Sequence, residues 1–255
     1  MKVVVCIKPV KTNLVYPNET RLEEFVINPY DLYALEKAVE LKKMTDCEIW
    51  CLCMGPVSAK PALQKAIAIG ADEAVVVCDN VFRGSDTVAT SYILAEAIKK
   101  MGDVSLVICG KRTIDGETGQ VVYGISERLG YFCMPELAEF KEASSSYVIA
   151  TQANKSEFTL GKLQLPAVVS FYDFLVTQPK VSLMGLKKAR KKEIQVWDAK
   201  MLEIDSARCG LDGSKTKVLS VAQDIVKKQK AFLEGTVEEK ADILRQLVSG
   251  RANCL

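Results

Sequence analysis

Apolar positions follow two alternating rhythms over roughly the first half of the chain. Unbroken β-branched runs occur at Lys2 to Lys8 (KVVVCIK), Glu48 to Met54 (EIWCLCM), Glu73 to Cys78 and Val104 to Cys109. Between them lie stretches with helical spacing, at Tyr30 to Lys43, Ser58 to Ile69, Ser85 to Lys100 and Gln120 to Leu129. A run that is apolar at every position predicts a strand covered on both faces. Strands alternating with helices in this way predict a doubly wound, mostly parallel α/β sheet with right-handed crossovers. The punctuation agrees: Asn28 is a natural N-cap with Pro29 at the first helical position, Gly55-Pro56 makes a turn, and Gly70-Ala71-Asp72 stops a helix.

From about Pro135 the pattern shortens to alternating pieces, Glu136 to Lys141, Ser146 to Ala153, Glu157 to Leu160 and Pro166 to Phe171, which read as an antiparallel addition to the same sheet. A basic segment follows (Ser182 to Ile194, SLMGLKKARKKEI), then a polar stretch through GLDGSKTK (Gly210 to Lys217), then a terminal helix from Thr236 to Val248. That helix carries Val237, Ala241, Leu244 and Val248 on one face after a weakly patterned connection, which fits an arm reaching a partner subunit better than a core element. The expected division is residues 1–195 for the α/β domain with its antiparallel addition and 196–255 for the extension.

Composition narrows the chemistry. The 255 residues include no histidine, so Ser-His-Asp and Cys-His catalysis and every histidine-containing metal site are excluded for this chain. A net charge of +2 is too small for a whole-surface grip on nucleic acid, although a local patch could act. The nine cysteines form an odd set, most inside apolar runs, and read as small buried hydrophobes of a reducing compartment. Cys51-Leu52-Cys53 lacks CxxC spacing, and its thiols are expected on opposite faces of a strand. No apolar run approaches membrane-spanning length and no leader-like segment precedes the first strand, so the expectation is a cytoplasmic protein.

Open α/β sheets bind ligands beyond the carboxyl ends of their strands. The richest segment there is Gly110 to Val121 (GKRTIDGETGQV), which runs into a helix N-terminus where backbone amides and the dipole favour phosphate. It is neither a Walker A loop nor GxGxxG. On spacing alone it is either a phosphate cradle or an ordinary strand-to-helix turn. Ser85-Asp86-Thr87 has the same ambiguity, because it could simply cap its helix. The run Lys187, Lys188, Arg190, Lys191 and Lys192 is either a solvated helix end or a steering patch for an acidic partner, with Leu183 and Met184 as its apolar anchor.

The ordered set VVVCIKPV, INPYDLYALEKAVELK, CMGP, AIAIGADEAV, GSDTVATSYILAEAIKK, ICGKRTIDGETGQV, LPAVVS, KKARKKEIQVW and GLDGSKTKV resembles the beta (small) subunit of electron-transfer flavoproteins across essentially the whole chain. The resemblance implies an adenine-nucleotide-hydrolase-like fold and pairing with an FAD-carrying alpha subunit. It also implies a nucleotide pocket that holds AMP in simple carriers and a second FAD, reduced by NADH, in electron-bifurcating relatives.

Transferred onto this sequence, that pocket uses Cys6, Asn28, Pro29, Tyr30, Asp31 and Met54. The loop Gly110, Lys111, Arg112, Thr113, Ile114, Asp115, Gly116, Glu117, Thr118, Gly119, Gln120 and Val121 wraps the phosphates, with Asp86, Thr87, Thr90 and Ser91 nearby. The compact IDGETGQV and GSDTVATSY are closer to the bifurcating type, which favours FAD over AMP. The implied partners are an acyl-CoA dehydrogenase-like flavoenzyme and an acceptor such as ferredoxin or flavodoxin. One departure stands out: the family's NEPRYPS-like segment is replaced by FLVTQPKVS (Phe174 to Ser182), which bears on domain docking. A stand-alone nucleotide-binding regulator would account for the first 130 residues or so but leaves the basic segment and arm without a role.

Overall fold

The computed structural model describes residues 1–11, 25–154, 157–175, 179, 181–220 and 234–252, with side chains to residue 245. In chain order its elements begin with β1 (Lys2–Cys6), β2 (Pro9–Lys11), β3 (Phe25–Ile27), α1 (Pro29–Met44), β4 (Glu48–Met54), α2 (Lys60–Ile69), β5 (Glu73–Val77), α3 (Thr87–Met101), β6 (Val104–Gly110) and α4 (Val121–Leu129). They continue with β7 (Phe132–Ala143), β8 (Tyr147–Asn154), β9 (Glu157–Gln164), β10 (Ala167–Phe171), α5 (Leu183–Lys191), β11 (Gln195–Trp197), the single turn α6 (Gly210–Gly213) and α7 (Val237–Ala252).

Nine strands make one sheet in the order β11, β5, β4, β1, β6, β10, β7, β8, β9, and β2 pairs with β3 in a separate two-stranded piece. β1 pairs in parallel with β4 on one side and β6 on the other. The chain therefore builds outward through β4 and β5, then returns across β1 to add β6. That reversal is the topological switch point, where ligands of such sheets bind.

Alternate residues of β1 feed two cores. Val3, Val5 and Ile7 pack with α1 and α2 on one face, while Val4 and Cys6 pack with α3 and α4 on the other. The expected doubly wound α/β architecture is thus the observed one, with its antiparallel addition formed by β7, β8 and β9.

Three sequence expectations need correction. The Pro166–Phe171 piece is not antiparallel: β10 lies between β6 and β7, parallel to both. All five of its residues, AVVSF, are buried, which is the signature of a strand covered on both faces. Cys51 and Cys53 share one face and one core cluster, with Leu52 opposite them, because side chains two apart on a strand point the same way. Asn28 precedes α1 but makes no side-chain cap bond.

The chain divides into two compact units, Met1–Lys217 and Val218–Leu255. The expected boundary at 195/196 falls inside the first, where β11 pairs with β5. In the second, α7 opens with a reciprocal cap: the Thr236 N–H donates to Glu239 Oε2 at 2.8 Å and the Glu239 N–H to Thr236 Oγ1 at 3.3 Å. The connection at 221–233 and the Val248 side chain of the expected helix face lie outside the described residues. Among the described residues no helix is long and apolar enough to cross a membrane, and no group of Cys, Asp or Glu is arranged to hold a metal ion.

Candidate functional site

At the switch point the ends of β1 and β6 are joined by one buried carboxylate. Asp31, in the first turn of α1, is 5% exposed. Its Oδ2 accepts the Lys8 N–H at 2.8 Å and its Oδ1 the Gly110 N–H at 3.2 Å. Burial pushes the Asp31 carboxyl up to about 7, against the opposing pull of these amides and of the Asn28 side chain. Gly110 is required here because a Cβ would lie 2.4 Å from Asp31 Oδ1 and 2.7 Å from the Tyr30 carbonyl carbon.

Asn28 is fully buried and holds the loop that follows β6. Its Nδ2 donates to the Arg112 carbonyl at 2.9 Å, and its Oδ1 accepts the Ile114 N–H at 3.2 Å. This duty explains the missing cap bond. Outside, Lys8 Nζ pairs with Asp115 at 2.7 Å, Arg112 Nε donates to the Tyr30 hydroxyl at 3.2 Å, and Lys111 pairs with Glu136 at 3.1 Å. Burial tends to raise the Asp115 carboxyl, but the Lys8 ammonium and the Thr113 side chain hold it below the usual range.

The remainder of the loop, Gly116 to Gln120, lies largely exposed. Glu117 and Gly119 take left-handed φ of 54° and 63°. Its end, Gln120, precedes α4 without any side-chain cap, which leaves the first-turn amides of α4 available to an anion. Backbone amides, the Thr113 and Thr118 hydroxyls and the cations Lys111 and Arg112 form a donor set suited to phosphate oxygens.

The structure thus brings together Asn28, Pro29, Tyr30, Asp31 and Gly110 to Asp115. Cys6, at the end of β1, is a buried free thiol close to the free thiol of Cys109 on β6, which it helps to push up. Met54 ends β4 half-buried, next to β1 on the side away from β6.

The other expected group lies at the start of α3. Asp86 Oδ1 caps α3 through the Val88 and Ala89 amides, and its Oδ2 accepts the Lys215 and Thr216 amides at 2.7 and 3.0 Å. Thr87 and Thr90 lie half-buried in the same first turn. Ser91 is buried and donates to the Val88 carbonyl, directly beneath Gly124 of α4, where a Cβ would come within 2.4 Å of its hydroxyl. The sequence passed over Lys8 as a loop tether; its signal was a cation placed just past the carboxyl end of an apolar strand.

The basic run also divides. Lys188 Nζ donates to the Ala71 carbonyl at 3.0 Å and to Asp72 Oδ1 at 2.9 Å, and Lys192 pairs with Glu73. Lys187, Arg190 and Lys191 are exposed with no ion-pair partner among the described residues. Leu183 and Met184 are 86% and 83% exposed.

This topology, with a loop of amides and hydroxyls at its reversal, places the chain among the open, doubly wound α/β proteins with a ligand end suited to a nucleotide. Residues 20–202 match the family model described as the electron transfer flavoprotein domain. The chain is 36% identical over 247 residues to Protein FixA of Azorhizobium caulinodans, covering 91% of this chain and 88% of that protein. It is 34% identical over 254 residues to the electron transfer flavoprotein subunit beta of Clostridium acetobutylicum, covering 94% and 95%. With the subunit beta of Megasphaera elsdenii the identity is 33%, over 87% of each. The chain belongs to the electron transfer flavoprotein family.

Proposed function

We propose that this chain is the beta-type subunit of a heterodimeric electron-transfer flavoprotein, holding an adenine nucleotide over the switch point between β1 and β6. The carrying observation is the family match together with the Asn28 and Asp31 framework, which leaves an amide-rich loop and the α4 N-terminus to receive phosphate. Gly110 to Val121 wrap the phosphates, and the segment Cys6, Asn28 to Asp31 and Met54 frames the rest of the nucleotide.

The nucleotide is FAD in preference to AMP, as the compact IDGETGQV loop suggests, and this flavin supplies the capacity to accept and release electrons. The protein's own part is to position it, neutralise its phosphates and set its surroundings; no side-chain nucleophile is needed from a chain without histidine. The partners are an alpha subunit, contacted in part by the C-terminal extension, and an acyl-CoA dehydrogenase-like flavoenzyme that meets Leu183, Met184 and the basic helix. NADH or the dehydrogenase-like flavoenzyme is the donor and a carrier such as ferredoxin or flavodoxin the acceptor, in the cytoplasm.

Purification with the cognate alpha subunit, followed by counting of nucleotides, tests this reading. Two FAD per heterodimer is the expected result. One FAD with one AMP converts the protein to a simple carrier, and a stable nucleotide-bound homodimer indifferent to the alpha subunit overturns the assignment.

A further inference from the structure

Helix α5 is short and buries one side chain fully, that of Ala189. A helix of this length is not stable alone, so its orientation must be imposed from outside. Three features impose it. At its start, Ser182 Oγ accepts the Gly185 N–H at 3.0 Å. Gly185 itself rests on the end of α2, where a Cβ would lie 2.3 Å from the Ala68 carbonyl oxygen, so only glycine allows this approach. At the far end, Lys188 and Lys192, one turn apart, reach back to Asp72 and Glu73 at the start of β5.

Asp72 is a junction rather than a simple surface partner. Its Oδ2 also accepts the Ile49 N–H at 2.9 Å and pairs with Lys42 of α1. Burial tends to raise its carboxyl, but the Ile49 amide, Lys42 and Lys188 hold it below the usual range. With 3.6 residues per turn, Leu183, Met184, Lys187, Arg190 and Lys191 fall within an arc of about 120°, and Gly185, Lys188, Ala189 and Lys192 fall on the other side.

We propose that Asp72 and Glu73 are positioning residues for docking: through Lys188 and Lys192 they fix the rotation of α5, so that Leu183 and Met184 stand out between the cations Lys187, Arg190 and Lys191. The surface so formed fits an apolar depression rimmed by carboxylates on a partner flavoenzyme. Presenting it already ordered removes part of the entropic cost of association. The inference rests on the docking reading of α5 given above, and adds that two of the five cations act inward.

The test uses the complete heterodimer with its alpha subunit as electron acceptor from an acyl-CoA dehydrogenase reduced by its acyl-CoA. The double variant K188M/K192M leaves the Asp72 bonds to Ile49 and Lys42 in place. It should raise KM for the heterodimer about 3- to 10-fold, the scale set by weak, exposed ion pairs and lost pre-ordering. Turnover at saturation and nucleotide content should stay unchanged, and amide exchange across 183–191 should accelerate.

Glu73→Gln, which frees Lys192 alone, should give a smaller change of the same kind and serves if the double variant folds poorly. Unchanged KM in a folded variant overturns the positioning role. Leu183→Ala separates the two readings: if it leaves KM unchanged, or if the unaltered heterodimer takes no electrons from this donor, the docking reading fails and this inference falls with it.

Discussion

The two ends of the central sheet are fastened by opposite means. At the carboxyl ends, Asn28 and Asp31 are buried and satisfy backbone amides and carbonyls from β1, β6 and the following loop. At the amino ends, half-exposed charges pair with one another: Lys42 and Lys188 with Asp72, and Lys192 with Glu73. The amino end also holds a cleft of about 830 Å³, lined by Met1, Lys2 and these charges. Lys42, Lys188 and Lys192 of that cleft are tied to Asp72 and Glu73, whereas the opposite end uses its buried polar groups to shape the loop that follows β6.

Breaking the carboxyl-end framework should cost most. Gly110→Val forces a side chain into Asp31 and the Tyr30 backbone, and is expected to destabilise by about 3 kcal/mol or more and to abolish nucleotide retention, read by urea unfolding and nucleotide content. Asn28→Ala orphans the Arg112 carbonyl and the Ile114 amide; the expected loss is roughly 2–4 kcal/mol, again with loss of nucleotide.

Asp31 sharpens the comparison through pH. Its folded value of about 7 lies above the ordinary 3.8, so the native state keeps a proton that the unfolded chain releases. The part of the stability that Asp31 contributes should therefore be fully present below about pH 4 and fall as pH rises toward about 7, by at most about 1.4 kcal/mol per unit, opposite in sign to the contribution of Asp72 and Asp115, which is lost as pH falls. Asp31→Asn should flatten this slope between about pH 5 and about pH 7 in urea titrations, while weakening the fold throughout because an amide nitrogen replaces one acceptor. The smallest effect belongs to Lys8→Met, which removes the exposed pair with Asp115: about 1 kcal/mol or less, fading in high salt, with nucleotide release faster than in the unaltered heterodimer. A Lys8→Met cost approaching that of Asn28→Ala would erase the contrast between the two kinds of fastening.

Much of this was legible in the sequence, because the units of a doubly wound sheet are local. Each buried run and each helical stripe sits within a dozen or so residues, and Asn28, Asp31 and Gly110 stand where strand ends meet helix starts. What escaped notice depends on distant pairing. Pro166 to Phe171 gives no sign of slipping between β6 and β7, since the partners of a strand are not written in it; only its continuous burial hinted at a central place. Asp72 looked like a helix stop because Lys188, which ties it to α5, lies over a hundred residues further on. The spacing of Lys188 and Lys192, one turn apart, was the available clue to an inward-facing pair.

Asp86 carries a consequence of its own. One carboxylate terminates α3 and also receives the chain at Lys215 and Thr216, about 130 residues away, while Ser214 bonds both the Asp86 amide and the Gly84 carbonyl. Fraying of the first turn of α3 and release of the segment before Lys217 are thus a single cooperative opening. The late-coming stretch of polypeptide acts as a latch that completes an element made near the beginning, and a nascent chain stopped short of Ser214 would emerge with that corner unclosed.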